Sequence, residues 1–259
     1  MNKGMRYCHI AIVILMSSCG TFKDIPYFKD LNHSTPTHEQ VDNYSPLVIQ
    51  PSDILGINVS SRNPESSAIF NYNLNRVNGS YNVSPDNPVI GYMVDQRGEI
   101  HLPLIGNLEA AGLTTSQLRD TLDKMLLTYY KDPVVNVRII NFKVSVFGDV
   151  QRPNIYTLQN ERATITQALS LAGDLNITAV RKIILIREES GKRNFIPMVL
   201  TSKKIFESPY FYLKNNDEIY VQPDRTKYAT VDRGYRVATL VLSGLSIIAI
   251  VLSNLYRVH

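Results

Sequence analysis

The chain has 259 residues, 44% of them hydrophobic and 19% charged, a balance suited to a folded body rather than to a disordered tail. Lys and Arg number 27 against 23 Asp and Glu, a formal charge of +4. Lys3 and Arg6 fall in a leader segment; without them the count is 25 against 23, or +2, and no basic tract remains to recruit nucleic acid.

The leader spans residues 1–18. Lys3 and Arg6 precede the apolar run Ile10–Met16, which is too short to cross a bilayer and suits the core of a secretory signal. Met16-Ser17-Ser18-Cys19-Gly20 resembles a lipobox, with Met16 where Leu is usual, so Cys19 is the expected lipidation site. The only other cysteine, Cys8, lies inside the leader, so the mature chain is expected to have no disulfide or cysteine nucleophile. Residues 19–46 are polar, with Pro26 and Pro36, and read as a tether.

The next span, residues 47–141, reads as a first strand–helix–strand unit. Ile54–Val59, Tyr92–Val94 and Glu99–Leu102 have strand patterns, the last after the turn Asp95-Gln-Arg-Gly98. The Asn-, Ser- and Pro-rich stretch from Asn63 to Asn87 is expected to be a long loop. Thr114 and Gln117 have capping-box spacing, and Leu118, Leu122, Met125 and Leu126 share one helical face. Asp132-Pro133 then leads into a strand over Val134–Ile140.

Residues 142–225 repeat the theme. Lys143–Phe147 reads as a strand, Gly148–Pro153 as a turn, and Tyr156 and Leu158 as part of a second strand. Thr164 and Gln167 form a second capping box; Ile165, Ala168, Leu169 and Ala172 make its apolar face, and Gly173 its stop. Lys182–Arg187 and Phe195–Val199 form a hairpin about Ser190-Gly191, and Glu218–Gln222 closes the unit at Pro223. The expected fold class is therefore α+β, two small strand–helix–strand units in series.

Residues 236–256 read as a C-terminal transmembrane helix. Val237–Leu255 has no charged residue and eleven Leu, Ile or Val. Nineteen helical residues cover roughly 28 Å, about one hydrocarbon core. Arg233, Tyr235 and Arg236 flank one end, and Tyr256 and Arg257 the other. Thr239, Ser243, Ser246 and Ser253 share one face, with Gly244 and Asn254 beside it. Three readings of that face stand: a lone anchor with hydroxyls bonded to its own backbone, a helix-packing face, or a pore lining. The spacing alone favours packing over pore lining.

Enzyme readings find little support. His9, His33, His38 and His259 lie outside the two units, and His101 is a lone strand histidine. No metal-ligand spacing, phosphate-binding Gly loop or serine-nucleophile motif is present, so no cofactor and no metal are expected. Glu188-Glu189 near a hairpin turn is a solvated pair by its surroundings.

Several motifs in order resemble outer-membrane polysaccharide export proteins of the Wza type. In the first unit they are Ile49-Gln-Pro-Ser-Asp53, Val94-Asp-Gln-Arg-Gly98, Pro103-Leu-Ile-Gly106, Ala111-Gly-Leu-Thr114 and Tyr130-Lys-Asp-Pro-Val-Val135. The second unit is similar to a soluble-ligand-binding β-grasp domain through Val146-Phe-Gly-Asp-Val150, Pro153, Ala168-Leu169, Leu171-Ala-Gly173 and the strand ending at Arg187. Ser52, Asn154 and Asp174 stand where that pattern has Gly, all at turns that tolerate them.

The resemblance implies an outer-membrane, lipid-anchored protein, mostly periplasmic. It implies a homo-oligomeric ring that conducts capsular polysaccharide or exopolysaccharide, with an inner-membrane polysaccharide co-polymerase or tyrosine kinase as partner. An envelope adaptor lipoprotein binding peptidoglycan or an export partner is the alternative. Better-known relatives have a further β-grasp domain, so a shorter body is expected here.

Overall fold

A computed structural model of the chain describes residues 26–32, 34–71, 90–189, 191–229 and 233–257. The leader, Cys19, His33 and Ser190 lie outside the described residues. The chain is an α+β protein.

Strand β1 (Ile54–Ser60) alternates strictly, with Leu55, Ile57 and Val59 fully buried. It lies between β2 (Tyr92–Met93) and β5 (Val134–Ile139), antiparallel to both, with Leu55 opposite Ile139 and Val59 opposite Val135. Helix α1 spans Pro64–Asn71, and helix α2 runs from Thr115 to Leu126 and packs on β5. Its capping box forms as expected: Gln117 N–H donates to Thr114 Oγ1 at 3.2 Å, and Thr114 N–H donates to Gln117 Oε1 at 2.8 Å. Leu118, Leu122 and Leu126 face the core, but Met125 is 37% exposed. The buried stripe is thus the narrow i, i+4, i+8 row, and Met125, expected within it, lies on its rim.

The expected loop after Asn63 is corrected over its first part, where helix α1 spans Pro64–Asn71. Pro64 suits the first helical position, and Asn63 Oδ1 accepts from Glu65 N–H at 3.2 Å. A single large apolar anchor, Phe70, is fully buried, and Asn71 bonds the N–H and C=O of Val59 at 2.9 and 2.8 Å. One anchor in eight residues produces no visible helical period. The remainder of the expected loop, through Asn87, lies outside the described residues.

Strand β3 (Glu99–Leu102) was expected; its hairpin partner β4 (Gly106–Glu109) was not, because Gly-Asn-Leu-Glu has no β-branched or aromatic residue. Gly98 (φ +84) closes the preceding turn, where a Cβ would stand 2.6 Å from that of Ala111.

The second sheet has five strands: β6 (Lys143–Gly148), β7 (Asn154–Thr157), β8 (Ala179–Glu189), β9 (Lys192–Val199) and β10 (Glu218–Pro223). Their order is β7-β6-β10-β8-β9, and only the β6–β10 pair is parallel. Helix α3 (Ile165–Leu171) carries the second capping box, and Ile165, Ala168, Leu169 and Ala172 are all buried. One apolar cluster runs from Leu47 through both sheets to Val221.

The described part of the expected tether is docked rather than free. Phe28 N–H donates to Leu200 O (3.1 Å) and Lys29 N–H to Thr201 O (2.8 Å). Asp30 accepts from Ser202 Oγ and Lys203 N–H at 2.6 and 2.7 Å, and Asn43 Nδ2 donates to Phe206 O and Ser208 O. The Phe28 and Phe206 rings lie 4.8 Å apart, giving this polar segment an apolar foothold.

Candidate functional site

The C-terminal tail begins at α4 (Thr226–Ala229), and α5 then spans Arg233–Arg257. Within α5, Val237–Leu255 is apolar and long enough to cross a membrane, and none of it is buried against the body. Thr239, Ser243, Ser246 and Ser253 are exposed on this helix, as are Leu240, Ile247 and Leu255. Ser243 Oγ donates to Thr239 O at 2.8 Å, and Ser246 Oγ donates to Leu242 O at 2.9 Å. Two hydroxyls of the face therefore bond their own backbone one turn back, which lowers the desolvation cost of placing them in lipid.

Where the tail leaves the second sheet, a buried carboxylate holds it. Asp149 follows Gly148, and its side chain is fully buried. Lys227 Nζ reaches it at 2.6 Å, Thr178 Oγ1 at 2.7 Å and Asn176 Nδ2 at 2.8 Å. Burial alone would push this carboxyl up, but Lys227, Thr178 and Asn176 outweigh it and hold it below the usual carboxylate range. Asp224 N–H also donates to Thr178 O at 2.8 Å.

The docked N-terminal segment enters at the same corner. Tyr27 Oη donates to Asp174, and the Arg181 guanidinium lies 5.8 Å from the Tyr27 ring centre. Burial and the Asp174 carboxylate push the Tyr27 phenol up. Residues 174–181 thus meet both the entering and the departing chain.

Two further carboxylates are buried, and Asp53 sits where the two sheets meet. Asp53 accepts from Asn215 Nδ2 at 2.6 Å and Gln50 N–H at 2.9 Å, while Asn215 Oδ1 accepts Lys143 N–H at 3.0 Å. Burial pushes the Asp53 carboxyl up against those donors. Asp217 is likewise pushed up by burial, with Arg187 drawing part of that back. These groups tie backbone segments together, and Asn215 also lines a cleft of about 310 Å³ with Gln50, Glu188 and Arg193.

Sequence reasoning missed Asp149, Asp53 and the corner; the only signals were the Gly148-Asp149 and Pro51-Ser-Asp53 motifs. His101 stands exposed in β3 with Nδ1 2.7 Å from Asn107 Oδ1. Among the described residues no group of three or more His, Cys, Asp or Glu is placed to hold a metal.

Among the described residues, an α+β body with one exposed apolar helix of membrane-crossing length defines a class: a folded module with a helical tail fit for a bilayer. Residues 41–140 match the family described as polysaccharide biosynthesis/export protein. The EPS I polysaccharide export outer membrane protein EpsA of Ralstonia solanacearum is 26% identical over 187 residues, covering 69% of this chain and 48% of that protein. The protein of the same name from Ralstonia nicotianae is 27% identical over 137 residues, covering 52% of this chain and 36% of its own. The chain spans about half the length of the first of these relatives. Residues 41–140 are therefore similar to the polysaccharide export proteins, the family its motifs resemble.

Proposed function

We propose that this protein is an oligomeric outer-membrane lipoprotein that forms a conduit for capsular polysaccharide or exopolysaccharide. Residues 47–141 act as the export domain and 142–225 as a β-grasp domain. Cys19 carries the lipid, and residues 236–256 cross the outer membrane. The observation that carries the reading is the fully exposed apolar helix Val237–Leu255 on a chain whose relatives are named export outer membrane proteins.

A lone helix satisfies its own backbone in lipid, so several side by side can replace a β-barrel. In such a ring the Leu, Ile and Val faces meet lipid while Thr239, Ser243, Ser246 and Ser253 face a wet interior or a neighbouring helix. Weak hydroxyl contacts suit a hydrated polymer that must keep moving. The corner at residues 174–181 supports a common membrane side for both attachments. Cys19 precedes Pro26 by seven residues, a reach of at most about 25 Å. The body extends from the membrane into the periplasm, where an inner-membrane co-polymerase or tyrosine kinase would meet it.

The adaptor reading, in which the helix is only a second anchor, is favoured by one observation: Ser243 and Ser246 already bond their own backbone. Mass measurement and projection imaging of the detergent-extracted, lipid-modified protein separate the two. A closed ring with a stain-filled centre is expected. A stable monomer or dimer across several mild detergents overturns the conduit and leaves the adaptor.

A further inference from the structure

A shallow cleft of about 190 Å³ opens where the start of α1 meets the segment following α2, lined by Arg62, Asn63, Ser66, Tyr129, Tyr130 and Lys131. At ~30 Å³ per water that is room for roughly six waters, the size class of one pyranose residue.

Its walls are held in place. Tyr130 Oη donates to Ser66 O at 2.8 Å, the Tyr130 ring meets the Phe70 ring edge-on at 6.3 Å, and Phe70 is itself fully buried. Both tyrosine N–H groups donate to Leu126 O, at 2.9 and 2.8 Å, capping the end of α2. Tyr129 is nevertheless 51% exposed, an aromatic surface that packing leaves open. A flat ring beside polar groups suits the C–H face of a sugar.

The polar groups are biased toward donors. Asn63 Oδ1 is taken by Glu65 N–H, which leaves its Nδ2 to donate. Arg62 is spanned by Asp132, with Nη2 to Oδ2 at 2.6 Å. Lys131 has no ion pair among the described residues. The local balance of these three charged side chains is one net positive charge. Neutral sugars present donors and acceptors alike, whereas a carboxylate presents acceptors only.

We propose that this cleft binds an acidic sugar residue of the exported polymer, with Tyr129 stacking on the ring and Lys131 pairing with the carboxylate. The proposal rests on the polysaccharide-export reading for its ligand class. It needs neither the ring nor the conduit.

The test is binding of trigalacturonate to the detergent-solubilised full chain, followed by tyrosine fluorescence and calorimetry, with isomaltotriose and inorganic phosphate as comparators. Trigalacturonate is expected to bind and to weaken with salt, isomaltotriose to bind less well, and phosphate not to compete at equal concentration. Lys131→Gln and Tyr129→Ala should each weaken trigalacturonate binding about tenfold, while Lys131→Arg retains it. Both positions are exposed, so unchanged circular dichroism serves as the folding control. Equal binding by the wild type and both variants overturns the proposal. So does isomaltotriose binding as tightly as trigalacturonate, or phosphate displacing the ligand with no effect of Tyr129→Ala. Because oligomeric state is measured separately, a monomer that binds trigalacturonate sinks the conduit alone, and a ring that does not bind it sinks the cleft alone.

Discussion

Arg187 grips Asp217 through both carboxylate oxygens, Nε to Oδ1 at 2.8 Å and Nη2 to Oδ2 at 2.6 Å, with the two side chains 4% and 1% exposed. Nη2 also donates to Tyr212 O at 3.0 Å, and Asp217 accepts Lys214 N–H at 2.7 Å. The pair therefore staples β8 to the turn before β10. Removing one partner strands the other charge in the core, so Asp217→Leu should cost about 3–5 kcal/mol. Arg187→Met combined with Asp217→Leu should recover part of that loss, because two apolar groups need no partners. Denaturant midpoints of the three variants decide it; a double variant as unstable as Asp217→Leu refutes the account.

Lys227 lies 78 positions from its partner Asp149, and the pair has a pH signature. The folded carboxyl value of Asp149 lies below its unfolded one, so its ionised form stabilises the protein at neutral pH. That contribution is present above about pH 4 and fades as pH falls through the folded value. Lys227→Met keeps the burial and the Thr178 and Asn176 hydrogen bonds but loses the cation, so the folded value should rise and the contribution shrink. The stability gap between wild type and variant should be widest at neutral pH and narrow below about pH 4. A gap independent of pH over that range contradicts the assignment. Hydrogen exchange at residues 226–229 should quicken in the variant.

Gly148 has φ +99, and a Cβ there would stand 2.1 Å from Val221 O on the parallel partner strand. The Val221 backbone cannot retreat without unzipping β6 from β10, so Gly148→Ala should cost about 4 kcal/mol or more. Gly191 has φ +72 but nothing within 4 Å of a Cβ, so Gly191→Ala should cost only about 1–2 kcal/mol. Thermal unfolding of both variants checks the contrast; equal losses would mean that the backbone angle, not the close approach, matters at Gly148.

Ser52 and Asp174 have φ of +75 and +74, the left-handed region that glycine occupies without strain. A non-glycine residue therefore strains the backbone at both sites. Ser52→Gly should stabilise the protein by about 0.5–1 kcal/mol. Asp174→Gly should gain less, because it also loses the bonds from Tyr27 Oη and Leu175 N–H. Asn154 opens β7 in ordinary extended backbone, so Asn154→Gly should only weaken that strand. Unfolding midpoints that rank the three otherwise would refute this reading.

What was legible in the sequence was local. Both capping boxes, the buried rows of α2 and α3, the β8–β9 hairpin and the apolar tail follow from spacing along the chain. Helix α1 was hidden because Phe70 alone anchors it, and β4 because its four residues have little strand propensity. The corner was hidden for another reason: Tyr27 and Asp174 are 147 positions apart, and only the fold brings them together. The polar face of the tail was legible as a pattern, but its hydroxyls' use of their own carbonyls was one of three readings that spacing left open.

The meeting of the docked N-terminal segment and the departing tail at residues 174–181 has a mechanical consequence. If the proposed lipid on Cys19 and the helix sat in one bilayer, a pull between the two attachments would be carried through that short loop and its partners Asp149 and Tyr27. The β2-β1-β5 sheet lies outside this load path, so thermal swaying of the membrane would leave the cleft at Tyr129 undistorted.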